Sequence, residues 1–134
     1  MAFIENAIYN YILSQPGITS YVGQDIYSAD APTDSNMQTD YIRYQVITKE
    51  NDPLYFGLTK CGEVMIQIDT FSKLQANCIA IGSLLVTALN RFSGAIDTGI
   101  TVHFSTISGP VVARDTSNEQ WYHGINEWQG DYEY

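Results

Sequence analysis

Positive charge is scarce in this chain. Six Lys and Arg stand against fifteen Asp and Glu, a formal charge of −9 at pH 7. No basic stripe is present to neutralise phosphates, which argues against tight sequence-independent binding to nucleic acid and against attraction to an anionic membrane surface. Charge of either sign is thin. Only 16% of residues are charged, against ~25% in ordinary soluble domains. Cysteine is nearly absent: Cys61 and Cys78 form no CxxC or CxxH unit, which removes the common zinc patterns. The N-terminus has no basic flank of the secretory type, so both cysteines are expected as reduced thiols in a cytoplasm, although sequence alone leaves a disulfide between them open. Long apolar runs are missing too. Residues 74–90 carry no charge, but Gln75, Asn77, Ser83, Thr87 and Asn90 interrupt them, and they fall short of the ~20 apolar residues of a membrane span. A buried or interface helix is expected there. No P-loop, GxSxG, HExxH or EF-hand spacing occurs.

Apolar residues make up 45% of the 134, enough for one domain, 1–134, with a core that needs no disulfide or metal. Ten tyrosines and many Ser, Thr, Asn and Gln occupy the places charges usually take. Such a surface is either neutral-polar or made to be covered by neighbours.

Residues 2–13 place Ile4, Ile8 and Ile12 at helical spacing. A further turn over 18–22 is closed by Gly23 as a C-cap, and 25–27 reads as a short edge strand. Residues 41–49 form a strand by their β-branched and aromatic content. In 63–70, Val64, Ile66, Ile68 and Thr70 alternate with Glu63, Met65, Gln67 and Asp69, the pattern of a strand buried on one face. Ser72 is the expected N-cap of the charge-free helix. Its stripe runs Leu74, Cys78, Ile81, Leu85, Leu89 and Phe92, and Ile79, Leu84, Val86 and Ala88 widen it. Gly82, in mid-helix, costs ~1 kcal/mol against Ala and implies close approach of another backbone. Strands follow over 100–107 and 119–128. The fold class is therefore α+β: a mainly antiparallel sheet with helices packed on one face.

The stretch QWYHGINEW, 120–128, holds one of the two histidines among large aromatics and carboxylates. On a strand His123 and Glu127 are separated by roughly 13 Å at ~3.3 Å per residue, too far to act as an acid–base pair. His103 can face His123 across a ladder, but two histidines without an acid pair make a poor metal site. No catalytic residue, metal site or cofactor is expected, and the chain is read as a non-enzyme. The loop ENDPLYFGLTKCG exposes Leu54, Tyr55, Phe56 and Leu58. Apolar-tipped long loops are commonly functional, although these residues can equally fold back as a lid on the domain's own core.

Taken in order, ITSYVGQDIY, the strand DYIRYQV, the strand EVMIQIDTF running straight into SKLQANCIAIGSLLVTALN, and WYHGINEW after an RDTSNEQ turn resemble the tail completion, or tail terminator, proteins of phages with long non-contractile tails. The resemblance spans most of the chain, and its specificity lies in order and spacing. It implies a structural virion protein, made in the host cytoplasm, that forms a ring of six on the head-proximal end of the tail tube. There it would stop tube elongation and offer a docking surface to the head's neck complex. The implied partners are the tail tube protein, a stopper or connector protein of the neck, and further copies of the chain, which in such proteins can remain monomeric in solution and assemble on the tail end. Genome DNA would pass through the channel without specific binding, past acidic walls. The candidate assembly interface comprises Asp52, Leu54, Tyr55, Phe56, Leu58, Gly82, Tyr122 and Trp128. A neck or stopper protein on the head side is the alternative within the same class. A small enzyme built on His123, His103 and Glu127, and an acidic DNA mimic, are the alternatives outside it.

Overall fold

Period-two and period-3.6 patterning sorts the chain into the elements of a computed structural model, which describes residues 4–28, 40–51, 61–97, 100–104, 108–114 and 121–133. Helix α1 spans Ile4–Leu13 and α2 spans Pro16–Val22. Strand β1 is Ile26–Tyr27, β2 Tyr41–Asn51 and β3 Cys61–Ser72. Helix α3 is Gln75–Leu89. Strands β4, Ser93–Asp97, β5, Ile100–Phe104, β6, Ser108–Arg114, and β7, Tyr122–Glu133, complete the fold. This is the expected α+β domain.

The sheet runs β1-β2-β3-β7-β5-β4, with β6 also on β7. Among the described residues only β1 pairs in parallel, with β2; the other ladders there are antiparallel. One edge of β7 is shared. Gly130–Glu133 takes β5, and Tyr122–Glu127 takes β6.

All three helices lie on one face. The core between them and the sheet contains Ile4, Ile8 and Ile12 of α1, Ile18 and Val22 of α2, and Ile81, Leu85 and Leu89 of α3. Ile42, Tyr44, Val64, Ile66, Ile68, Val102, Phe104, Trp128 and Tyr132 oppose them from the strands. The alternation read in 63–70 is therefore the true inward set. α2 ends at Gly23, whose φ of 58° is the left-handed conformation that favours glycine; its N–H closes on Thr19 O.

Several expectations need correction. Ser72 is not the N-cap of α3: it is the last residue of β3, and its Oγ accepts the Leu74 N–H at 3.1 Å. That hydroxyl in turn donates to Asp40 Oδ1, while Asn77 donates to Asp40 Oδ2. Asp40 thus steadies the start of the helix from outside it. Leu74, expected in the buried stripe, is 61% exposed because it precedes the first helical turn. The structure adds two strands, β4 and β6, to those expected. Finally, Cys61 opens β3 opposite Glu133, whereas Cys78 Sγ lies against Thr70 nine residues further along that strand, roughly 30 Å at ~3.3 Å per residue. The two cannot pair within one chain, and Cys78 is a free, buried thiol.

Candidate functional site

The face of the sheet opposite the helices is dry at one end. Ladder pairing puts Tyr41 of β2, Phe71 of β3 and His123 of β7 side by side. Tyr41 and Phe71 stack at 4.6 Å, and Phe71 and His123 at 4.4 Å. Trp121, just before β7, meets Tyr41 edge-on at 5.6 Å, and the Lys73 ammonium lies 5.3 Å from the Trp121 ring. Tyr41, Phe71 and Trp121 form a second small core. Its signal in the sequence is an aromatic at the outward parity of three adjacent strand ends.

One ladder step along, Asp69 is 1% exposed. Gln67 Nε2 donates to its Oδ1 at 2.8 Å, and Arg43 Nη2 to its Oδ2 at 3.1 Å. His123 Nε2 stands 3.5 Å from Oδ1, an electrostatic neighbour rather than a short hydrogen bond. Burial pushes the Asp69 carboxyl up; His123, Gln67 and Arg43 outweigh it and hold the group below the usual aspartate range. The Arg43 guanidinium also lies 5.2 Å from the Phe71 ring centre. A carboxylate held ionised and engaged by its neighbours is a poor general base, and among the described residues no hydroxyl or thiol nucleophile is placed against it. The cluster clamps β2, β3 and β7 together.

The residues on which an enzymatic reading depends do not converge. His103 pairs with Asp131 on the ladder, and His123 pairs with Phe71 and Ala113. His103 instead has Ser93 Oγ 2.5 Å from its Nδ1 and Glu133 3.9 Å from its Nε2. That trio is solvent-exposed, and the wide His–Glu separation leaves the imidazole poorly oriented for activating a hydroxyl. Among the described residues no group of His, Cys, Asp and Glu is placed to hold a metal ion, and no helix is long and apolar enough to cross a membrane.

Of the candidate interface, Asp52, Leu54, Tyr55, Phe56 and Leu58 lie outside the described residues. Trp128 must be withdrawn. It is 1% exposed in the main core, because its ladder partner is the inward-facing Ile66, so no neighbouring chain can reach it. Gly82 is also buried, and what approaches it belongs to the same chain: Asn126 of β7 donates to its carbonyl at 3.1 Å. Tyr122 is half-buried, its hydroxyl accepting from Arg114 Nη2 at 2.9 Å with the guanidinium 5.1 Å from its ring.

Among solved structures the fold has a full-length counterpart. It resembles a chain from the virion of a native gene transfer agent particle, with a TM-score of 0.69 at 12% identity, over 98% of this chain and 95% of that one. No family model matches the chain, and no curated protein does. At that identity the likeness establishes a shared fold.

Proposed function

We propose that this protein is a structural component of a phage-type virion, a ring-forming cap on the head-proximal end of a tail tube that ends tube elongation and receives the head. The observation that carries the reading is the end-to-end likeness to a virion chain. The order of motifs along the sequence supports the tail-end position. With −9 per copy, a ring of six would present a strongly acidic assembly. Over a screening length of ~8 Å its walls would repel a passing phosphate backbone rather than bind it.

The test is genetic. In a phage deleted for the gene, full heads should accumulate beside unattached tails of irregular, often excessive length, and the gene supplied in trans should restore joined particles. Tails of normal length beside heads that have lost their DNA would move the protein to the neck. Normal virions would remove the proposed role.

A further inference from the structure

Among the described residues the outer edges of β1 and β4, the part of β2 beyond β1, and the outer edge of β6 have no strand beside them, and the open stretches of β2 and β6 lie on opposite flanks of the sheet. β1 covers β2 only at Ile42 and Arg43, which leaves residues 44–51 open. On the other flank β5 is covered by β4, but β6 has only β7 beside it. Carried across the ladders, Ser108 is level with Glu127, Gln67 and Gln45, and Arg114 with Tyr122 and Ser72, just past Tyr41. β6 thus stands level with residues 41–45 of β2, at the end of the sheet opposite the centre of the open stretch.

Three properties make these edges complementary. The first is direction: β2, β3, β7 and β6 alternate in antiparallel order, so a second copy's β2 laid outside β6 continues the alternation in the more stable pairing mode. The second is stagger. The two open stretches are offset by roughly four residues, about 13 Å at ~3.3 Å per residue, and closure of a sheet into a ring needs such a shear. The third is apolar content. Among the described strand side chains the exposed large hydrophobics are Ile47 at 45% and Val111 at 63%, one on each open edge. An uncovered edge invites another strand, on β6 at residues 111–114, beyond the register shift and Pro110, which has no N–H to donate. A foreign strand would satisfy one edge; a second copy satisfies both.

We propose that the chain associates head-to-tail by strand addition, residues 44–51 of one copy's β2 pairing with the outer edge of the next copy's β6. This rests on the assembly reading above for its choice of a second copy as occupant. The contact joins two different surfaces, so it propagates rather than stopping at a dimer, and it closes into a ring where the rotation from copy to copy closes.

Sedimentation velocity on the full chain tests it, high concentration replacing the tail end by mass action. Ile47→Lys blocks one edge and Val111→Lys the other, neither touching the core. The parent should form closed oligomers as concentration rises, each variant alone should stay monomeric, and an equal mixture should yield dimers and nothing larger. A parent that stays monomeric at its solubility limit overturns the proposal. So does either variant assembling as the parent does, and so do dimers of Ile47→Lys alone, which would mean β6 pairing with β6. Amide exchange on the parent gives an answer that needs no variant: residues 44–51 and 108–114 should be protected in the oligomer, and no added protection there refutes the pairing. Rings in solution from a gene whose deletion leaves tails normal would sink the tail-end role and leave the strand pairing standing. Full complementation by a chain without edge protection would do the reverse.

Discussion

Replacing Asp69 by Asn perturbs the outward cluster at its centre. The carboxylate accepts from Gln67 at 2.8 Å and from Arg43 at 3.1 Å while 1% exposed. Asn keeps the shape but turns one acceptor into a donor facing Gln67 or Arg43. A hydrogen bond to a charged group contributes about 1.5–3 kcal/mol, and breaking a buried ion pair costs about 3–5 kcal/mol. Arg43 is partly exposed and can turn to water, so the lower end applies: a loss of about 2 kcal/mol near neutral pH. The sign of the pH dependence follows from the lowered Asp69 pKa. The ionised form is the one the fold favours. Its contribution is therefore complete above the unfolded value of about 3.9 and is lost as pH falls through the folded one. Urea unfolding of parent and Asp69→Asn from pH 7 downward should show a constant gap to about pH 5 that narrows below about pH 4. Asp131→Asn, on the exposed end of β7, should stay within about 0.5 kcal/mol of the parent. A gap under about 0.5 kcal/mol at pH 7, or one that widens in acid, would refute this account of the cluster.

Gly124→Ala should destabilise by about 1–3 kcal/mol through overpacking, because its methyl would sit 2.5 Å from Thr70 Oγ1 and 3.1 Å from Cys78 Sγ; thermal unfolding reads it. Trp128→Ala should cost about 3–5 kcal/mol and reduce soluble yield, whereas a surface role would leave the melt unchanged. Cys78 is buried beside Thr70, and its thiol is pushed up by that burial. Its labelling by a thiol reagent should therefore follow global unfolding, and rapid labelling of the native chain at Cys78 would contradict its placement.

Strands with one dry face announce themselves. Val64, Ile66 and Ile68 alternate with polar residues, and Gly124, Asn126 and Trp128 keep the inward parity of β7. β4 and β6 were hidden by their own chemistry. Ser93-Gly94 and Gly109-Pro110 look like breakers, yet both lie in strands at the margin of the sheet, and a register shift falls between Ser108 and Val111. Glycine and proline are tolerated at such edges and irregularities. Asp69 and Phe71 share the parity of the solvent face. They are buried because Tyr41, Trp121 and His123, distant in sequence, are brought beside them by pairing that no local pattern encodes. The same limit explains Trp128 and Gly82: exposure and crowding in a single strand or helix depend on what the sheet lays across it.

Direct imaging of the head–tail junction in intact virions tests the central claim most simply. A closed ring of copies of this fold, seated on the last tier of the tail tube with β2 of each copy against β6 of the next, is the expected result. Density for the chain on the head side of the joint, or its absence from the particle, would contradict the account.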